Sequence, residues 1–157
     1  MVRILHRHRL RLFQPVIFFT VLLLFNLLLS GCGFGAAREM LEKERIIQYV
    51  QENESLLTQC ILDGDYDPLS DSAVIEDIEH APEAVDFSCG GSGFGSQTNY
   101  WGFFYSETDN QLAVWCAITD GQSEKDGEGR IWYEPNSDNT YYVQHICSHF
   151  YYYYAHF

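Results

Sequence analysis

Positive charge is scarce through most of this chain. Beyond Cys32 the only cations are Arg38, Lys43, Arg45, Lys125 and Arg130, while all twenty-two acidic residues lie there. Five cations against twenty-two anions leave −17, more extreme than the −13 of the whole sequence. Such a surface repels nucleic acid and anionic lipid head groups, which argues against both as partners of the folded part. It accommodates cations, basic proteins or neutral glycans, and it also serves simply to keep a domain soluble. Other signatures are missing too. No C-x2-C pair marks a zinc site. No Lys-Ser/Thr follows the glycine-rich run Gly90–Gly95, so a turn or bulge between strands is expected there, not a phosphate cradle. No apolar run reaches the roughly twenty residues of a spanning helix.

The apolar run that is present is shorter and has a definite setting. Residues 1–14 carry Arg3, Arg7, Arg9 and Arg11 with His6 and His8 and no acid. Pro15–Leu29 follows, apolar except for Thr20 and Asn26, and ends in small residues. A basic stretch, a short apolar run and a small-residue end have the shape of a secretory signal, whose cations stay on the cytoplasmic side.

Leu29-Ser30-Gly31-Cys32 resembles the lipobox of bacterial lipoproteins, in which Leu and two small residues precede a Cys. The resemblance implies cleavage before Cys32, a diacylglyceryl thioether on its sulfur and acylation of the new amino group. One acyl chain holds weakly, at about 0.8 kcal/mol per buried methylene, so two or three are needed for stable attachment. The expected organisation is a cleaved signal peptide over 1–31, a lipidated Cys and tether over 32–36, and one extracytoplasmic domain over 37–157. The membrane is then a partner through the lipid anchor alone, and the protein sits on the outer face of a cell membrane.

After the Gly33-Phe34-Gly35 tether, the stretch from Ala36 to Leu62 has neither Gly nor Pro. Ile46, Val50, Leu57 and Cys60 or Ile61 recur at helical spacing, interrupted by Asn53, and Gly64 stands where a helix favours a left-handed residue. The spacing predicts a long amphipathic helix. Beyond Gly64 the period changes to two. Val74–Glu79 and Ala84–Cys89 predict a hairpin around Ala81-Pro82-Glu83, and Tyr100–Ser106 with Gln111–Ile118 predicts another across Glu107–Asn110. Residues 119–129 read as a polar loop, and Arg130–Glu134, Tyr141–His145 and His149–His156 as further strands. A helix followed by strands predicts the α+β class: a long N-terminal amphipathic helix packed on an antiparallel β-sheet of about five to seven short strands.

The aromatic stretches Asn99–Ser106 and Ile146–Phe157 resemble those of a group of uncharacterised small lipoproteins of gut Firmicutes. That resemblance implies no activity.

Five groups of residues are candidates for chemistry. Cys32 is the lipidation site. Asp63, Asp65, Asp67 and Asp71 fall at positions 1, 3, 5 and 9 of a calcium loop, but Pro68 replaces the turn Gly and Val74 the final Glu, so an ordinary acidic loop is expected. Cys60, Cys89, Cys116 and Cys147 are even in number and permit two disulfides in any of three pairings. Cys60 and Cys116 also sit on apolar faces, where a free thiol packs well. His145, Cys147 and His149 would share one face of a continuous strand, suited to zinc or to a Cys–His pair, with plain packing as the default. Finally, alternation sets Tyr151 and Tyr153 against Tyr152 and Tyr154. One pair would be buried under the helix, and the other would form an aromatic binding face for a protein or glycan if nothing covers it. No cofactor is implied. The expected role is a binding or structural module at the cell surface; the alternative is an envelope hydrolase using acidic residues, although no carboxylate pair stands out.

Overall fold

A computed structural model describes residues 32–94, 97–115 and 123–157, with side chains from Glu39 onward. The expected signal peptide therefore lies outside the described residues, as do Gly95, Cys116 and the start of the expected polar loop. The chain divides into two compact units, Met1–Leu41 and Glu42–Phe157. The described part of the first, residues 32–41, is entirely helical, with Met40 and Leu41 exposed.

Among the described residues one α-helix, α1, runs from Cys32 to Asp63. It starts earlier than the spacing predicts and takes in Gly33–Gly35. It is not at the N-terminus of the sequence, since residues 1–31 precede it. Among the described residues no helix is long and apolar enough to cross a membrane. Side chains four apart reinforce α1. Gln48 donates to Glu52 at 2.8 Å and Gln59 to Asp63 at 2.7 Å. Asn53 sits in the apolar stripe because its amide bonds back to the Tyr49 carbonyl at 2.8 Å, a local side-chain-to-backbone bond that satisfies the amide. Gly64 closes the helix at φ 65°, and the Asp65 N–H reaches the Cys60 carbonyl at 3.2 Å. That contact is the six-to-one bond of a Schellman end.

Among the described residues seven strands follow: β1 (Asp77–Ala81), β2 (Ala84–Phe94), β3 (Gln97–Tyr105), β4 (Ser123–Asp126), β5 (Gly129–Tyr133), β6 (Thr140–Cys147) and β7 (Phe150–His156). They form one antiparallel sheet in the order β1-β2-β3-β7-β6-β5-β4. The α+β class with an antiparallel sheet is as the sequence predicts. Two meanders, β1–β3 and β4–β7, are joined through the pairing of β3 with β7.

Each face of the sheet carries its own core. Ile46, Val50, Leu57 and Cys60 of α1 share a buried cluster with Phe87, Cys89, Trp101, Phe103, Phe150 and Tyr152. At its centre Phe87 and Phe103, cross-strand neighbours, stack at 4.6 Å between ring centres. Such cross-strand ring pairs are the unit from which a sheet draws its stability. The second face buries Phe104, Trp132, Tyr141, Val143, Tyr151, Tyr153 and Ala155, with Leu112, Ala113, Val114 and Trp115 packed among them. Large buried aromatics contribute roughly 2–3 kcal/mol each, so this face is a core in its own right.

Two expectations about the middle of the chain are corrected. Gln111–Trp115, expected to begin a strand paired with Tyr100–Ser106, forms turns instead. Both edges of β3 are already taken, by β2 and β7. Local bonds also favour turns here, as short polar side chains commonly do. The Asn110 N–H donates to Ser106 Oγ at 3.1 Å, and the Leu112 N–H to Asn110 Oδ1 at 3.0 Å. The stretch 119–129, expected as a polar loop, holds β4 at Ser123–Asp126. The glycine run carries the bulge that is one of the two expectations for it. β2 continues through Gly90 and Gly91 to Phe94, after a register shift between Ser88 and Gly90. The Trp101 indole lies so close over Gly90 that a Cβ there would meet its Nε1 at 2.9 Å.

Candidate functional site

Two of the acids at the end of α1 are engaged in local structure. Asp63 accepts from Gln59, and Asp65 Oδ1 accepts from the Asp67 N–H at 3.1 Å as Asp67–Leu69 winds into a 3₁₀ turn. Among the described residues no group of three or more acids, histidines or cysteines is arranged to hold a metal, and Asp63, Asp65, Asp67 and Asp71 do not converge.

The cysteines among the described residues are not joined to one another. Cys60, Cys89 and Cys147 are free thiols, and Cys116 lies outside the described residues. Cys60 and Cys89 are core members, and Cys147 packs against the same cluster. Burial pushes all three thiols up, Cys147 to about 11, with Glu54 adding to the effect there. Loss of solvent penalises the thiolate and leaves the thiol protonated. A protonated, packed thiol behaves as a small apolar side chain.

The His145–Cys147–His149 trio is also broken up. A register shift between His145 and Cys147 inserts Ile146 as an extra residue, so His145 pairs with Tyr151 while Cys147 pairs with Phe150. Adjacent residues of β7 point to opposite faces, and their partners follow them. Cys147 turns to the face of α1 and His145 to the other. His149 lies beyond the end of β6, in the turn to β7.

The tyrosine strip leaves no open face. Tyr152 belongs to the first core. Tyr151 and Tyr153 belong to the second and are only 4% and 6% exposed. Tyr154 is half-buried against the first. The expected aromatic binding face at Tyr151–Tyr154 is therefore corrected: the turns over Leu112–Trp115 and the rings of Trp132 and Tyr141 cover the side away from α1. Trp115 stacks on Tyr141 at 4.9 Å and 14°.

One constellation does gather chemically able groups at the surface. Asp109 Oδ1 accepts from His149 Nδ1 at 2.9 Å and from the Tyr151 hydroxyl at 2.9 Å. An ionised carboxylate can only accept, so His149 carries its proton on Nδ1 there. The two bonds, that of His149 first, hold the Asp109 carboxyl below the usual carboxylate range. Burial and the bond to Asp109 push the Tyr151 phenol up to about 12. Asp109 reaches both partners because it adopts φ 57°, a left-handed conformation that Asp tolerates better than most residues. The backbone closes the same clip: the Ser106 N–H donates to the His149 carbonyl at 3.0 Å, and the Asp109 N–H to the Ser106 carbonyl at 3.1 Å.

An Asp that fixes a His tautomer is half of a general-base arrangement. The Ser106 hydroxyl, at the start of the same turn, is buried and serves it by accepting from the Asn110 N–H. Cys147 faces the opposite way. What the clip does visibly is tie the 106–110 turn to the β6–β7 turn. The sequence singled out His149 but not Asp109. An Asp in a Ser-Glu-Thr-Asp-Asn turn signals a left-handed residue, but its partners stand forty and forty-two positions away. Comparison with known proteins finds no match, whether among family models, curated proteins or solved structures.

Proposed function

We propose that this chain is a lipoprotein held on the extracytoplasmic face of a cell membrane through Cys32, and that its acidic α+β domain is a binding or structural module. The observation that carries this reading is Leu29-Ser30-Gly31-Cys32, placed directly after a basic stretch and a short apolar run. The charge distribution supports it. Cations crowd the first eleven residues and acids the remainder, as expected if the first part faces the cytoplasm and the second an aqueous exterior. The partner is a protein or a neutral glycan, since an anionic polymer would be repelled. With Tyr151, Tyr152 and Tyr153 packed into two cores, recognition falls to the acidic surface and not to the tyrosine strip.

Replacing Cys32 by Ala tests the anchor. The variant should take up no radioactive palmitate and should accumulate as an uncleaved precursor. Labelling and processing at the same position in Cys32→Ala would refute the assignment.

A further inference from the structure

Asp86 is a carboxylate in an unfavourable place. It points to the second face of the sheet, where Ala84, its neighbour by alternation, joins the second core. Its Oδ1 is buried without a hydrogen-bond partner, its Oδ2 accepts a long bond, 3.4 Å, from the Tyr153 hydroxyl, and the Phe87 backbone gives the carboxylate some further support. Directly across the β1–β2 ladder stands Glu79, and Asp77 lies one pair further along on the same face. Like charges directly opposite on paired strands repel. The other ionisable group turned towards it is the Tyr141 phenol of β6, itself fully buried and unpartnered. Cys89 on its own strand points to the opposite core, and β3 contributes only Phe104 and Gly102. No cation faces Asp86 among the described residues that set its charge.

The strand opposite it is suited to come away. β1 has five residues, lies at the edge of the sheet, and is held on one side only. Of its residues, Asp77, Glu79 and His80 are exposed, and Ile78 and Ala81 only half-buried.

We propose that β1 is a proton-controlled edge strand: it pairs firmly with β2 while Asp86 is neutral, and it loosens when Asp86 ionises opposite Glu79. Burial pushes the Asp86 carboxyl up from 3.8 to about 6; Glu79 and Asp77 add to this, and the hydrogen bonds from the Tyr153 hydroxyl and the Phe87 backbone offset part of it. The paired state thus holds a proton that the opened state releases. Pairing is fully favoured below about pH 4 and loses that advantage as pH rises towards 6. Opening would bare the backbone donors and acceptors of Val85–Ser88.

Hydrogen exchange of the full chain in detergent, corrected for the intrinsic pH dependence of exchange, reads this directly. Peptides spanning Asp77–Ser88 should lose about tenfold in protection between about pH 4.5 and 7, while peptides from β3 and β7 do not. Asp86→Asn should abolish the loss and Glu79→Gln reduce it. His80 remains in both variants, so a loss in Asp86→Asn equal to that of the parent would assign the effect elsewhere and overturn the proposal. Equal loss in β3 and β7 would mean global unfolding and would also overturn it. If Asp86→Asn does not fold, Tyr153→Phe serves: without the phenol the carboxyl holds its proton more tightly, and the loss should move to higher pH. A window that stays in place would count against Asp86 as the controlling group.

Discussion

The phenol ring of Tyr153 on β7 lies across Gly102 on β3. A Cβ at position 102 would stand 2.8 Å from the Tyr153 hydroxyl oxygen and 2.4 Å from the Phe87 carbonyl oxygen. The missing side chain is what lets a residue of β7 reach over β3 to Asp86 on β2. Gly102→Ala should therefore force the ring and the β2 backbone apart. A loss of about 1–3 kcal/mol, read from urea midpoints, is the cost expected of inserting a methyl group into a packed site.

The four C-terminal tyrosines give a second test. With both faces of β7 covered, Tyr151→Ala, Tyr152→Ala and Tyr153→Ala should each cost about 3–5 kcal/mol, the range for large buried side chains. Tyr154→Ala should cost less, because its ring is only half-buried. Urea midpoints of the four single variants should show three deep losses and one shallower. A two-against-two split would mean that one face of the strand is open after all.

The Asp109 clip predicts a pH dependence of the opposite sign to that of Asp86. Here the folded carboxyl is held below its ordinary range, so the contribution is present at neutral pH and disappears as pH falls through the folded value. Carboxyl titration by NMR should place Asp109 below the ordinary aspartate range. His149→Ala should return it most of the way, since that bond is the larger cause, and Tyr151→Phe part of the way. An unchanged titration in His149→Ala would show that the dyad does not hold in solution.

Thiol chemistry supplies a fourth prediction. In the native chain Cys60 and Cys89 should resist iodoacetamide, Cys147 should react slowly, and all three should react promptly after denaturation, because burial keeps the thiolate from forming. Peptide mapping of the alkylated protein distinguishes the sites. Rapid native labelling of Cys89 would contradict its place in the core.

These tests bear most on what local pattern could not convey. The core stripe Ile46, Val50, Leu57 and Cys60 and the helix stop at Gly64 are written in neighbouring residues, so spacing and turn chemistry suffice to find them. The turn at Pro82-Glu83 is local in the same sense. The partner of β3 was not legible, because β7 lies far along the chain and nothing in either strand names the other. Gln111–Trp115 alternates like a strand, yet no edge of β3 is free to receive it. Ile146, one extra residue in a ladder, moves Cys147 to the other face from His145, and period-two counting has no means of anticipating a bulge. The Asp109 site failed for the same reason as β3–β7: its members meet only through the fold.

The pairing of β3 with β7 also bears on the order of events in the life of the chain. The strand made after the other six occupies the fourth of seven positions, the middle of the sheet. Until Phe150–His156 emerge, the β1–β3 and β4–β6 meanders have no common neighbour, and the rings of Phe104 and Tyr141 lack Tyr151 and Tyr153 between them. A growing polypeptide therefore cannot lock into its final form before β7 has been made.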